Sequence, residues 1–234
     1  MSGTLYLFPV WLGEQDTQRV LPAYNLQVME HLRHLVVENE RTARRFLRAW
    51  GYKGSFEELE LILADKDNEA DVLDGPIGLL LQGHDVGLMS EAGCPGVADP
   101  GQRLIAQAQQ MNIRVVPLVG PSSILMALMA SGLNGQLFTF HGYLPIDKSQ
   151  RAKALRDIDA AIRRNHGSHI FMETPYRNMA LLDDATKHLG QDLRLCVAVD
   201  ITLSTEQITT MTIGEWRSAR PDLAKRPCMF VAGK

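Results

Sequence analysis

The stretch V-G-L-M-S-E-A-G-C-P-G-V-A-D-P-G, residues 86–101, decides the fold. It begins with the end of an apolar, strand-like run predicted over residues 85–89. The next twelve residues hold three glycines, two prolines and two acids, and a helix is predicted over 102–111. Strand, loop and helix in that order form the repeating unit of an open α/β sheet, in which ligands bind beyond the carboxyl ends of the strands. Gly93, Gly96 and Gly101 would let the backbone approach a ligand closely. Pro95 and Pro100 would stiffen its path. An ordinary Gly/Pro connection is the plainer alternative.

On both sides the alternation continues. Strands are predicted over 4–10, 34–37, 59–63 and 114–118. Ala43, Phe46, Leu47 and Trp50 share one face of a helix over 40–50 that stops at Gly51. Residues 70–82 read as helix with an interruption at Gly75-Pro76, and 122–131 as helix. This predicts a mainly parallel sheet covered by helices. The pattern changes at F-H-G-Y-L-P, residues 140–145, which serves as the candidate linker. The chain is therefore expected to form two α/β domains, 1–141 and 142–234. In the second, helices are predicted over 149–165 and 177–189. Strands are predicted over 168–173, 194–200 and 228–232, with 206–212 forming a hairpin with 194–200.

Two further strand–turn–helix junctions stand out. In P-L-V-G-P-S-S, residues 117–123, Gly120 allows a tight turn and Ser122 suits a helix N-cap. The amides there could receive a carboxylate or a hydroxyl, or serve capping alone. In M-E-T-P-Y-R, residues 172–177, Glu173 follows an apolar strand and stands either at a cleft edge or as a surface acid beside a proline-initiated helix. The phosphate and dinucleotide patterns G-x-G-x-x-G and G-x-x-x-x-G-K-[ST] are absent, as are G-x-S-x-G and H-E-x-x-H. His84, His141 and His169 lie near strands and read as structural; no metal is expected.

Bulk composition sets outer bounds. The 234 residues are 45% hydrophobic with a net charge of −3, which advertises no general affinity for nucleic acid. Residues 1–145 carry 10 Lys/Arg against 16 Asp/Glu, and 146–234 carry 14 against 11. Cys94, Cys196 and Cys228 are sparse and lack metal-ligand spacing, which fits a cytoplasmic protein. No secretory leader is visible and no apolar run approaches a membrane span, so no membrane association is expected.

Taken in order, these loops resemble the tetrapyrrole (corrin/porphyrin) methylase superfamily, the class III methyltransferases. The nearest branch methylates the 2′-hydroxyl of a cytidine in small-subunit ribosomal RNA. Its pattern V-S-D-A-G-T-P-L-I-S-D-P-G is similar to M-S-E-A-G-C-P-G-V-A-D-P-G at 89–101. V-P-L-P-G-P-S-A is similar to V-P-L-V-G-P-S-S at 116–123, and A-L-x-x-S-G-L matches A-L-M-A-S-G-L at 127–133. F-x-G-F-L-P and E-S-P-x-R find counterparts at 140–145 and 173–177. The chain departs from the pattern in three places. P-V-W-L-G-E-Q at 9–15 replaces a G-N-L-G-D-type loop, E-N-E-R at 38–41 replaces E-D-T-R, and D-I-T-L at 200–203 replaces E-L-T-K.

The resemblance implies a methyltransferase that uses S-adenosylmethionine, held in the cleft between two α/β domains largely by main-chain groups. It places Ser90, Ala92, Gly93, Cys94, Pro95, Val97 and Ala98 along one side of the cofactor and Ser122 and Ser123 beneath it. Met172, Glu173, Ile201, Thr202 and Leu203 would contact it from the second domain. Were the acceptor a hydroxyl, Glu91, Asp99 and Glu173 are the candidate bases. The resemblance also implies a homodimer and, as partner, ribosomal RNA or the small ribosomal subunit. A small-molecule, tetrapyrrole-like acceptor and a non-catalytic cofactor-binding role remain the alternatives.

Overall fold

A computed structural model describes residues 2–64, 69–219 and 221–234. The chain divides into two compact units, Met1–Ser122 and Ser123–Lys234. The first contains β1 (Thr4–Phe8), a short 3-10 turn (Thr17–Arg19), α1 (Ala23–His31), β2 (His34–Val37), α2 (Glu40–Trp50) and β3 (Glu60–Leu63). It continues with α3 (Glu69–Leu81), β4 (Val86–Met89), α4 (Gln102–Gln110) and β5 (Arg114–Pro117). Its sheet has the order β3-β2-β4-β1-β5 with every pair parallel, as expected.

Helices cover both faces of this sheet, which explains its unbroken apolar strands. On one face Phe8, Leu35, Val37 and Met89 pack with Phe46, Leu47 and Trp50 of α2. On the other, Leu5, Val36, Val86 and Leu88 pack with Leu80 and Leu104. Each such fully buried side chain stabilises the fold by roughly 2 kcal/mol. The predicted face of α2, Ala43, Phe46, Leu47 and Trp50, is the buried one. Its start is set by Asn39, whose side chain accepts the N–H groups of Arg41 and Thr42. Its end is set by Gly51 at φ 99°.

Two elements differ from the sequence reading. α3 runs through Pro76 without the interruption expected at Gly75-Pro76. Ile77 and Leu80 are buried against the sheet and hold the helix across the N–H that proline lacks. α1 was not anticipated: its buried residues are Asn25 and Met29, too few and too polar for an apolar stripe.

The second unit contains α5 (Ser123–Ser131), β6 (Phe138–Tyr143), α6 (Lys148–Asn165), β7 (Ser168–Met172) and α7 (Asn178–His188). β8 (Arg194–Val199), β9 (Gln207–Thr212), α8 (Ile213–Trp216) and β10 (Cys228–Gly233) complete it. Its sheet has the order β6-β7-β10-β8-β9. β6 and β7 run parallel, the remaining pairs are antiparallel, and β8–β9 form the expected hairpin. The division falls before α5, whereas the sequence reading places it at 141/142. β6 is hydrogen-bonded into the second sheet. α5 is tied there as well, with the Thr210 hydroxyl donating to the Ser131 carbonyl at 2.8 Å. Among the described residues no helix is long and apolar enough to cross a membrane.

Candidate functional site

In the first unit the parallel register brings Phe8, Val37 and Met89 level at the carboxyl edge of the sheet, with Pro117 paired to Leu7 beside them. Four loops therefore leave from one edge, and the 90–101 loop is central among them. It turns left-handed at Gly93 (φ 71°), Gly96 (φ 77°), Ala98 (φ 62°) and Gly101 (φ 110°). For Ala98, which carries a Cβ, that conformation costs ~1 kcal/mol. Such strain persists only where surrounding contacts over-determine it. Here they include Val10 N–H donating to Gly93 O at 2.9 Å, Gly96 N–H to Pro100 O at 3.1 Å, and the Cys94 thiol to Pro121 O at 3.4 Å.

The loop sorts its candidate residues by exposure. Ser90, Gly93 and Pro95 are buried; Glu91, Ala92, Val97 and Ala98 are exposed; Cys94 and Asp99 lie between. Ser90 Oγ donates back to Ala92 O at 3.3 Å. Burial, with Asp99 nearby, pushes the Cys94 thiol up, so it stays protonated. Ser122 and Ser123 are half-buried at the start of α5, just past Gly120. A Cβ on Gly120 would overlap the Pro9 side chain, so the turn after β5 is seated against the exit of β1.

Beside this loop lies a cavity of about 160 Å³. Buried Val10, Val37 and Met89 line it, together with Trp11 and Phe46, whose rings meet edge-to-face at 5.2 Å. Its polar lining is Glu38, Asn39, Thr42, Arg45, Ser90 and Glu91. Glu38 Oε1 accepts the Glu91 N–H at 3.2 Å, and the Thr42 hydroxyl donates to Glu91 Oε1 at 2.9 Å. Sequence reasoning marked residues 9–15 and 38–41 only as departures from a family pattern. It did not join them into a cavity, because nothing local in the sequence brings them together.

In the second unit β7 and β8 both run antiparallel to β10, so their carboxyl ends share an edge. Met172, Glu173 and Ile201, Thr202, Leu203 gather there. Lys225 N–H donating to Pro175 O at 3.2 Å and Asn178 Nδ2 donating to Arg226 O at 2.7 Å tie the loops together. Glu173 is buried, with Oε1 accepting from Arg177 Nη2 and from Thr174 N–H, each at 2.7 Å. Burial alone would raise its pKa, but the Arg177 guanidinium and the Thr174 N–H outweigh it and hold the carboxyl below its usual range. The following turn holds Asp200 and Thr202 at φ 51° and 76°. Asp200 Oδ2 accepts from Arg226 Nε and the Thr205 hydroxyl, both at 2.8 Å.

Among the described residues no cluster of His, Cys, Asp or Glu could hold a metal ion. His141 and His169 do meet, ring nitrogen to ring nitrogen at 2.8 Å with stacked rings, and burial lowers both pKa values.

Residues 20–216 match the family described as Tetrapyrrole (Corrin/Porphyrin) Methylases. The chain is 31% identical to the Ribosomal RNA small subunit methyltransferase I of Haemophilus influenzae, over 100% of this chain and 80% of that protein. It is 29% identical to the protein of the same name from Pseudomonas aeruginosa, over 99% and 79%. The crystal structure of the methyltransferase CobJ superposes with a TM-score of 0.65 at 17% identity, covering 100% of this chain and 95% of that one. The chain belongs to the tetrapyrrole (corrin/porphyrin) methylases and is a methyltransferase of that family.

Proposed function

We propose that the chain transfers the methyl group of S-adenosylmethionine to a ribose 2′-hydroxyl of small-subunit ribosomal RNA, in the cytoplasm and as a homodimer. The observation that carries this reading is the 90–101 loop. It is a left-handed, small-residue loop at the carboxyl edge of a parallel sheet, in a chain that shares about 30% of its residues with ribosomal RNA methyltransferases.

The residues present fit the cofactor. Ala92, Val97 and Ala98 offer exposed apolar contact, and the loop offers main-chain hydrogen-bonding groups, the mixture an adenosine requires. Glu91 and Asp99 suit a sulfonium and an ammonium charge. Ser90, Gly93, Cys94, Pro95, Ser122 and Ser123 complete this set. Met172, Glu173, Ile201, Thr202 and Leu203, gathered at one edge of the second sheet, are further proposed contacts. When bound, the cofactor supplies an electrophilic methyl group at sulfur.

The chain's part is to align the acceptor oxygen with that carbon and to take its proton. Of the three carboxylates, Glu91 borders the cavity and is the foremost base. Asp99 stands on the same loop. Glu173, held ionised by Arg177, is a weak base and serves better as an anchor.

A small-molecule acceptor is the second reading, favoured by the state of α6. Three of its six cations are already neutralised: Arg151 by Asp184, Lys153 by Asp157, and Arg163 by Asp159 and Asp192. The deciding experiment offers unmodified small ribosomal subunits and a small-molecule fraction to the protein with tritiated S-adenosylmethionine. Label in the RNA supports the main reading; label only in small molecules replaces it. Light scattering at twice the mass of 26.0 kDa would support the dimer, and apolar side chains exposed on the second unit, Met129 and Ile146 among them, suit a covered surface.

A further inference from the structure

The cavity beside the 90–101 loop shares only Ser90 and Glu91 with the cofactor set proposed above. At about 160 Å³ it is too small for a whole cofactor, since sites that enclose such ligands run to ~300–1,000 Å³. It has room for one ring. Trp11, half-buried and braced edge-to-face by Phe46, supplies an aromatic surface for that ring. The polar lining is rich in acceptors: Glu38 and Glu91 both belong to it, and Glu38 Oε1 accepts the Glu91 N–H at 3.2 Å. A group placed there must present N–H or O–H donors, and a phosphate would be repelled. Among the described residues of the lining the one cation, Arg45, is ion-paired with Glu14 at 3.2 Å.

A neutral flat ring with an exocyclic amine meets all of these conditions. Carboxylates accept from the N4 amine of cytosine, and unstacked bases of single-stranded RNA stack on aromatic side chains. We propose that this cavity takes the unstacked, amino-bearing base of the acceptor nucleotide, with its ring on Trp11 and its amine directed to Glu38. The cavity then selects the nucleotide, and the neighbouring loop presents the methyl group to it. This rests on the RNA methyl-transfer reading.

The test is saturation-transfer NMR with cytidine and with uridine, on protein loaded with S-adenosylhomocysteine. Cytidine should bind about fivefold better than uridine, the worth of one added hydrogen bond. Trp11→Ala should weaken both nucleosides. Glu38→Gln should erase the preference for cytidine while uridine is unchanged, a result that a general loosening of the fold would not give. Calorimetric affinity for S-adenosylhomocysteine should be unchanged in both variants, which shows that they are folded. Equal binding of the two nucleosides, no binding of either, or a preference that survives Glu38→Gln overturns the proposal. Failure of the RNA reading is distinguishable. It appears as wild-type protein that binds cytidine selectively but leaves no label in small ribosomal subunits.

Discussion

Arg151 and Asp184 meet inside the second unit, where Nε and Nη2 of Arg151 both donate to Asp184 Oδ2, at 2.8 and 2.6 Å. The remaining Nη1 donates to the carbonyl oxygens of Pro145 and Ile146. One guanidinium thus joins the first turn of α6 to α7 and to the segment that follows β6. Buried and bonded in this way, Arg151 is a structural clamp rather than a surface cation. Arg151→Ala leaves Asp184 charged and largely buried, and is expected to destabilise the protein by about 3 kcal/mol. Urea unfolding of Arg151→Ala, Asp184→Ala and the double variant measures this. A double variant less damaged than the Arg151 single would show that the stranded charge, not lost packing, carries the cost.

The other cations of α6 also differ in how far they are committed. Arg163 donates to Asp159 and, through two nitrogens, to Asp192, and these carboxylates raise its pKa. Arg164, next in sequence, is exposed. A cation already neutralised by carboxylates adds little to the counterions released when RNA binds, whereas an uncommitted one adds to them. Arg164→Ala is therefore expected to lower labelling of small ribosomal subunits and flatten its salt dependence, with Arg163→Ala doing less. Equal losses in both variants would show that the Asp192 pairing opens on contact with RNA.

Glu173 makes a prediction about pH. Its folded-state pKa lies below the ordinary carboxylate value, so its stabilising contribution is complete above that ordinary value, about 4.3. The contribution is lost as pH falls through the depressed one. Wild type should exceed Glu173→Gln in urea midpoint at neutral pH, and the gap should narrow as pH falls below the ordinary carboxylate value and through the depressed one. A gap independent of pH would mean that packing of the side chain, not the Arg177 pairing, holds the loop.

Some of these elements were legible in the sequence and others were not, for physical reasons. α2 was legible to the residue because its apolar spacing and its stop at Gly51 are both local signals. The parallel sheet followed from the same kind of local alternation. α1 was not legible, because the chain buries Asn25 and Met29 there instead of an apolar stripe. The unit boundary was misplaced because β6 ends in turn residues, yet its pairing with β7 is a long-range fact. The cavity was least legible of all. Trp11, Glu38, Thr42 and Glu91 become neighbours only through the register that levels β1, β2 and β4, and no spacing in the chain encodes that the Thr42 hydroxyl reaches Glu91.

Gly93 and Gly120 look alike in the sequence, one glycine in each of two candidate cofactor loops, but the structure separates them. At Gly93 a Cβ would meet Leu12 Cδ2 at 3.5 Å, an ordinary contact, while φ is 71°. Gly93→Ala is therefore limited by backbone strain of ~1 kcal/mol. It should lower thermal stability slightly and keep much of the affinity for S-adenosylmethionine. At Gly120 the obstacle is the Pro9 side chain, fixed to the exit of β1. Gly120→Ala must push the 117–123 turn away from that exit, at a cost of about 1–3 kcal/mol. If Ser122 and Ser123 lie under the cofactor, the displacement should abolish binding at temperatures where the protein remains folded, and Ser122→Trp should do the same by bulk alone. Calorimetry on the three variants, each checked for folding by circular dichroism, decides the matter. Full affinity in both Gly120→Ala and Ser122→Trp would remove the 117–123 turn from the cofactor site and leave the 90–98 loop to carry it.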